Sequence, residues 1–380
     1  MNFNTALLIG FLVIFTILVF INRKKFKIYY FAKVFYFGML RTNVGLKTID
    51  RIGSGLRGIL TRISPVMIII GFLGMIIVAV NLIYELFKIF AGQTAQSVGL
   101  VLPVEGKGIF FVPFIYWILA VIIVMIVHEG GHGIMARSWK IPVRKTGIAF
   151  LGAIIPIIPA AFVEPDEKKL AKTTTKKQLS VFAAGPFANI IFGFFIYLIL
   201  IFALNPVTDG FYTNQGVEVI DVTADSPAFF AGLNTGEIVK NINGQKIIHT
   251  EDFTYAFKPA EVGDVYSITT DKKQYSVTLA ENPSTKKRWL GAFVQEKLVI
   301  LQPTFWKDVL IWIKELFFWV FLLNLGVGLF NLVPLGPIDG GKMLQIGLSR
   351  IMPKTANKIW KTVGFIMLLV ILGNIIPALL

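Results

Sequence analysis

A short polar cluster interrupts an apolar run at residues 121–135, VIIVMIVHEGGHGIM. His128, Glu129 and His132 have the spacing H-E-x-x-H, which on a helix places the two imidazoles on one face, one turn apart. Two imidazoles so placed can bind one zinc ion, and the glutamate beside them can take a proton from water. The alternative is a polar patch that contacts a neighbouring helix or relays protons.

Zinc needs a third protein ligand, and the chain has three histidines and no cysteine. We expect the remaining histidine, His249, on the surface of a polar region and without a chemical role. A carboxylate is therefore needed, and the candidates in or near the apolar runs are Glu85, Glu164, Asp166, Glu167, Asp308, Glu315 and Asp339. Asp339 differs from the others because prolines and glycines surround it in NLVPLGPIDG, residues 331–340. It could bind a metal or, equally well, cap a helix from Gly341 to Ile351.

The composition indicates which elements carry these residues. Hydrophobic residues make up 55% of the 380 residues and charged residues 16%, which is far below the usual charged fraction of a soluble protein, about 25%. The fold class predicted is a polytopic α-helical membrane protein. Six apolar runs are long enough to cross a bilayer, near residues 5–21, 64–90, 109–135, 179–204, 308–333 and 360–380. The first lacks a basic start and a cleavage site, so we interpret it as a retained helix.

The charges indicate an orientation. The net charge of +15 comes from basic residues beside the apolar runs, which favours an anionic membrane surface over nucleic acid as the partner. Basic loops follow the first and third spans and precede the sixth, and the positive-inside rule places all three in the cytoplasm. Both termini and residues 205–304 then lie outside, and His128 lies towards the cytoplasmic face. A prokaryotic cell membrane fits this composition.

Two segments are not simple spans or loops. Residues 141–163 are apolar but carry three prolines and two glycines, which disfavours a helix and predicts a re-entrant strand or hairpin that enters from the cytoplasm. A plain buried loop is the alternative. Residues 22–62 form a long basic loop in which Phe26, Tyr29, Tyr30, Phe31, Phe35 and Phe37 interleave with lysines. This pattern fits an amphipathic helix on the membrane surface or, equally, a solvated linker.

Residues 205–304 change in character, with polar residues, alternating strand-like runs and the turn Asn243-Gly244. We predict four segments. Residues 1–63 hold the first helix and the basic loop, 64–204 the first part of a core, 205–304 a small α+β domain, and 305–380 the second part of the core.

Three motifs resemble those of the site-2 protease family of intramembrane zinc metalloproteases. They are HEGGH at 128–132, AGPFAN at 184–189 and NLVPLGPIDG at 331–340, in the order found in that family. The segment DSPAFFAGLNTGEIVKNINGQKI, 225–247, resembles a PDZ domain of the kind found in proteases. The resemblance implies one extracytoplasmic PDZ-like domain and a hairpin that pairs with substrate.

The resemblance also implies roles for individual residues. His128, His132 and Asp339 would be the ligands of one zinc ion per chain, and Glu129 the general base. Asn331 would hold an unwound substrate, and Asn189 is a further polar residue of the core, assigned to the substrate site. The expected partners are single-span membrane proteins and lipid, with the oligomeric state open. The alternatives are a non-catalytic membrane PDZ scaffold and another H-E-x-x-H membrane metalloprotease that uses a downstream glutamate.

Overall fold

The apolar runs form the longest helices of the computed structural model, which describes residues 3–31, 35–92, 99–152, 156–282, 286–301 and 304–379. In chain order the helices are α1 (Phe3–Ile21), α2 (Leu46–Gly55), α3 (Arg57–Phe90), α4 (Phe114–Ser138), α5 (Glu167–Ala171), α6 (Thr175–Ile199), α7 (Asn205–Asp209), α8 (Pro227–Phe230), α9 (Thr250–Ala256), α10 (Phe305–Phe330), α11 (Asp339–Ile351) and α12 (Ala356–Leu379). Among these described residues, six helices are long and apolar enough to cross a membrane, which confirms the predicted number. They are α1, α3, α4, α6 with its continuation to Asp209, α10 and α12.

The helices observed differ by several residues from the predicted ends, as where the second begins at Arg57 and not near residue 64. The third helix begins at Phe114 and not near residue 109, because Pro113 precedes it and Ile109–Phe111 forms a short strand. The fifth ends at Phe330, and residues 331–333 form a turn that leads into Pro334. Residue 380, the end of the predicted sixth span, lies outside the described residues.

The strands of the described residues form four sheets. In chain order they are β1 (Lys27–Phe31), β2 (Phe35–Thr42), β3 (Leu100–Leu102), β4 (Ile109–Phe111), β5 (Val143–Gly152), β6 (Pro156–Pro165), β7 (Tyr212–Val222), β8 (Ile238–Ile242), β9 (Gln245–Lys246), β10 (Val265–Thr270), β11 (Gln274–Thr278), β12 (Ala280–Glu281), β13 (Arg288–Trp289) and β14 (Ala292–Ile300). One antiparallel sheet has the order β1-β2-β5-β6. Its strands β5 and β6 occupy the region where the sequence predicted a strand or hairpin. Their connection, residues 153–155, lies outside the described residues, and the entry of this pair into the membrane stays a prediction.

The basic loop at 22–62 is not the amphipathic aromatic helix considered above, nor a solvated linker. Phe26 lies just before β1, and the other aromatic residues named for this loop lie on β1 and β2. Strand β2 pairs with β5 from Tyr36–Gly152 to Thr42–Thr146. Aromatic and β-branched residues favour strands when a partner strand is present. Phe150 fixes this pairing, because its fully buried ring fills the space beside Gly38 where a side chain would otherwise lie.

The helices that carry the motifs share one hydrophobic core. Met135 and Ala136 of α4, Val181 and Ala183 of α6, and Met343 of α11 are all almost fully buried in it. The helices α4 and α6 approach closely at Gly131, since a Cβ there would lie 2.5 Å from the carbonyl oxygen of Ala184. In this core α6 therefore packs against both α4 and α11.

The chain divides into two compact units, Met1–Ile201 with Ile313–Leu380, and Phe202–Trp312. The second unit is an antiparallel sheet of order β11-β10-β8-β7-β14, with β9 paired to β8, and with the short helices α8 and α9. This is the α+β arrangement predicted. Side chains that face the core alternate along its strands with side chains that do not. In β10, Tyr266 and Ile268 are buried and Val265 is exposed. The predicted domain boundaries, the PDZ-like identity of this unit and its extracytoplasmic location stay predictions.

Candidate metal centre

Two histidines and one carboxylate converge in the first unit. His128 and His132 lie one turn apart on α4, and Asp339 is the first residue of α11. The Oδ2 atom of Asp339 lies 3.1 Å from Nε2 of His128 and 3.2 Å from Nε2 of His132, and these two nitrogens lie 3.2 Å apart. The three atoms form a nearly equilateral triangle, and the three side chains are only 11–13% exposed.

The triangle fits a tetrahedral zinc ion. With bonds of about 2.0–2.1 Å, neighbouring ligand atoms of such an ion lie roughly 3.3 Å apart, close to the separations observed. The Oδ2 atom of Asp339 is buried and has no hydrogen-bond partner among the described residues. A buried carboxylate oxygen is costly in that state unless a cation binds it. The donor set therefore suits a divalent metal that accepts nitrogen and oxygen ligands.

The orientation of His132 leaves its Nε2 available to bind a metal. Its Nδ1 lies 2.7 Å from the carbonyl oxygen of Val181 on α6. A carbonyl can only accept, so Nδ1 carries the hydrogen and Nε2 presents a lone pair towards Asp339. Gly185 makes room for this ring, because a Cβ there would lie 2.6 Å from Cε1 of His132. Neither contact could be predicted from the motif alone.

Asn189 contacts the other histidine. This residue is fully buried on α6, and its side-chain amide lies 3.4 Å from Nδ1 of His128. The amide oxygen has no partner among the described residues. The nitrogen and oxygen of an amide are assigned from the surrounding hydrogen bonds, and turning this amide over lets Oδ1 accept from Nδ1–H of His128. In that orientation both histidines direct a lone pair at the same point.

Glu129 faces the same site and is held by the sheet. Its Oε2 accepts a hydrogen bond of 2.8 Å from the backbone N–H of Val163 on β6. Val163 itself packs against α4, since a Cβ at Gly133 would lie 3.1 Å from its side chain. The strand β6 thus contacts α4 at the residue expected to act as a base.

A tight turn brings Asp339 to the histidines. The N–H of Gly340 donates to the carbonyl oxygen of Asn331 at 2.7 Å. Side chains at Gly340 or Gly341 would collide with the carbonyl oxygens of Leu332 and Leu335, so both positions require glycine.

The same turn decides two of the sequence predictions. Helix α11 starts at Asp339 itself, with Ile338 before it and no side-chain cap. The capping alternative for Asp339 is therefore not what the structure shows. Asn331 lies beside this turn, where its Nδ2 donates to the carbonyl oxygen of Val327 at 3.0 Å.

The other carboxylates considered as ligands lie elsewhere. Glu164 pairs with Arg41, Asp166 pairs with Arg144 and caps α5, and Glu85 bonds Lys88. Among the described residues, the only other group with metal-ligand spacing is His249 with Glu251 and Glu296, in the second unit. His249 is exposed and its Nδ1 lies 2.9 Å from Glu296, which is an ordinary surface ion pair.

Comparison with known proteins places the chain in a family. Residues 116–371, more than half of the chain, match Peptidase family M50. An uncharacterized protein of Methanocaldococcus jannaschii is 30% identical over 367 residues, which cover 90% of this chain and 89% of that protein. The zinc metalloprotease RasP of Oceanobacillus iheyensis is 23% identical over 264 residues, 55% of this chain and 61% of RasP. A putative zinc metalloprotease of Clostridium perfringens is 23% identical over 67% of this chain and 94% of its own length.

Among solved structures, the PDZ domain of an SdrC-like protein from Listeria monocytogenes is 23% identical, with a TM-score of 0.20. It covers 22% of this chain and 90% of the domain, a match too limited to decide the fold of the second unit. The family match is stronger evidence than this structural match, because it includes both motifs that carry the converging side chains, residues 128–132 and 331–340. The chain therefore belongs to peptidase family M50 and is an integral membrane metalloprotease of the site-2 type.

Proposed function

We propose that this protein hydrolyses peptide bonds within the transmembrane segments of single-span membrane proteins, close to the cytoplasmic face. His128, His132 and Asp339 would hold one zinc ion per chain, and Glu129 would act as the general base. The observation that carries the proposal is the triangle of ligand atoms with sides of 3.1–3.2 Å, formed beside Glu129 on a helix long enough to cross the membrane.

The chemistry follows from the position of each side chain. Zinc, when bound, polarises the substrate carbonyl and lowers the pKa of its water towards about 7. The N–H of Val163 holds Oε2 of Glu129, which leaves Oε1 as the atom that takes the proton of the attacking water. Glu129 then gives this proton to the leaving amine. Asn189 would keep His128 oriented, a positioning role that its buried contact supports better than the substrate contact predicted from the sequence.

A transmembrane helix hides its amides, because each carbonyl already accepts a hydrogen bond from its own helix. The substrate must therefore unwind before it is cut. We propose that it pairs as a strand with β6, the edge strand of the four-stranded sheet, next to Glu129. Asn331 would help to hold this extended segment, since its amide uses one N–H for Val327 and keeps its other N–H and its oxygen for a partner.

The orientation and location are part of the proposal. The positive-inside rule supports a cytoplasmic position for the site and an outside position for the second unit, and the relatives named above come from archaea and bacteria, which supports a prokaryotic cell membrane. A PDZ-like second unit could bind extended peptides or exclude substrates with bulky outer domains. We propose no role for nucleic acid.

The test is cleavage of a panel of single-span test proteins in proteoliposomes, with the zinc content measured on every variant. The wild type should cut and Glu129→Gln should not, while both hold about one zinc per chain, because Glu129 is not a ligand. Glu167→Gln is the matched control, since Glu167 is an exposed residue of α5. Equal cleavage by Glu129→Gln would disprove the assigned base. Full zinc retention by Asp339→Ala would favour a metalloprotease with a different third ligand.

A further inference from the structure

The free edge of β6 offers very few hydrogen-bond donors. This strand is the last in the order β1-β2-β5-β6, so one of its edges pairs with β5 and the other is open. Along an antiparallel edge strand, the N–H groups point alternately to the partner strand and to the open side. The N–H groups on the open side therefore belong to every second residue of β6.

Two independent observations show which residues these are. The N–H of Val163 donates to Glu129 and so points away from β5. The pairing of β5 and β6 is regular from Thr146–Val163 to Leu151–Ile158, so Ala161 and Pro159 point the same way as Val163. Proline has no N–H to give to a sheet and is found in strands where its nitrogen faces the open edge. The position of Pro159 agrees with the assignment made from Val163.

One donor remains on this edge between the two prolines. Pro159 has no N–H, the N–H of Val163 is bonded to Glu129, and Pro165 ends the strand. No described side chain accepts from the N–H of Ala161, and the residue is only partly buried. Between Pro159 and Pro165 the open edge therefore presents one available N–H, two residues from the amide that holds the base.

From this edge we infer that the N–H and carbonyl oxygen of Ala161 are the main-chain groups that fix the register of the substrate at the cleavage site. The inference rests on the proposed function and adds to it a single pairing position. With a rise of about 3.4 Å per residue, Ala161 lies roughly 7 Å from Val163 along the strand. One extended substrate residue pairs with Ala161, and the segment beyond it passes Glu129 and the metal ligands.

The prolines make other registers unfavourable. A substrate shifted by two residues towards Pro159 would place a carbonyl oxygen opposite a nitrogen that has no hydrogen. An unpaired polar group at membrane depth is costly, so the shifted register binds more weakly. A long, unbroken edge would instead pair with any extended segment in several registers. The edge therefore selects where the substrate is cut, without reading its side chains.

The experiment uses the full chain in proteoliposomes with the panel of single-span test proteins. Ala161→Pro removes the one N–H and spares the pairing with β5, because this N–H lies outside that ladder. We expect kcat/KM to fall about tenfold, which corresponds to about 1.4 kcal/mol. The fall should come mainly from KM, and the single cleavage site should spread over several bonds. The zinc content and the melting temperature should stay at their wild-type values, and Ala161→Ser, which restores the N–H, should recover the single site.

A second measurement does not depend on the folding of the proline variant. The chain has no cysteine, so Ala161→Cys in the Glu129→Gln background provides a single thiol. Disulfide formation with cysteines placed one at a time along the test substrate should be strongest at one position. A flat profile along the substrate would overturn the inference.

The outcomes separate this inference from the proposed function. If the wild type cuts and Ala161→Pro cuts at the same bond with the same kcat/KM, the assignment of Ala161 is wrong and the proposed function stands. If the wild type leaves every test substrate intact, the proposed function fails and the inference fails with it.

Discussion

The position of Gly185 provides a sharp test of the metal site. This glycine lies on α6 directly against the imidazole of His132, and a Cβ built on it would meet the metal-facing Nε2 most closely, with Cε1 at 2.6 Å and Cδ2 at 2.9 Å. Ordinary contacts begin at 3.4 Å, so in Gly185→Ala the ring must move by about 0.8 Å at Cε1. The Nδ1 atom of the ring also lies 2.7 Å from the carbonyl oxygen of Val181, on the same helix. It cannot move away from α6 without losing that hydrogen bond.

The expected loss of affinity follows from this displacement. Metal–ligand distances tolerate deviations of about 0.2 Å, so a shift four times larger removes His132 from the ligand set. Loss of an outer partner alone weakens binding by about 10–100-fold. We therefore expect Gly185→Ala to raise the Kd for zinc at least about 100-fold. The helix itself should persist, because alanine favours a helix more than glycine does.

The assay is a chelator competition on the full chain in detergent, together with the melting temperature. Gly130→Ala is the matched control, since it is another helical glycine beside the motif residues and a Cβ there meets nothing within 4 Å. It should keep zinc affinity at the wild-type value and raise stability by about 0.4–1 kcal/mol. If Gly185→Ala melts as the wild type does and its Kd stays within about threefold, His132 is not held as the structure shows, and the ligand assignment is wrong.

Two further predictions concern side chains that contact histidines. Asn189→Leu removes the amide beside His128 at similar volume, so zinc affinity should fall by about 10–100-fold, and an unchanged Kd would show that the contact does not orient the ligand. In the second unit, the hydrogen bond to Glu296 raises the pKa of His249, helped by Asp252 and Glu251. The ion pair therefore stabilises the fold below about pH 6.5, and this contribution is lost as the pH rises through the raised pKa. NMR titration of His249 should show a lower pKa in Glu296→Gln, and an equal pKa in the two proteins would contradict this cause.

The sequence predicted the ligand-bearing elements better than the sheet beside them. The spacing of His128 and His132 is local, so helix periodicity alone places both imidazoles on one face. Asp339 is more than 200 residues away, and the residues themselves left it equally suited to a helix cap. It became a predicted ligand only through the resemblance to a family, and the structure then placed its Oδ2 against both nitrogens.

Strands β1 and β2 of the four-stranded sheet were not predicted, for a physical reason. The aromatic residues of the segment from Phe26 to Phe37 interleave with lysines in a way that suits a membrane-surface helix as well as a strand. The presence of a partner strand decides between the helix and the strand. The partner of β2 is β5, which lies about 100 residues later in the chain. Contacts such as Phe150 beneath Gly38, or Arg41 with Glu164, have no signal in either segment taken alone.

The charges of the site explain why a membrane protein places these residues together. Glu129 bonds a backbone N–H and Asp339 lies against two histidines, and among the described residues neither carboxylate pairs with lysine or arginine. Two buried carboxylates so close together repel each other and are costly to desolvate. A zinc ion bound by Asp339 and two neutral imidazoles carries two positive charges, which balance the two carboxylates. A zinc ion at this site would therefore offset the cost of placing the motif within the membrane, and the residues proposed to carry out the chemistry would then form a site without net charge.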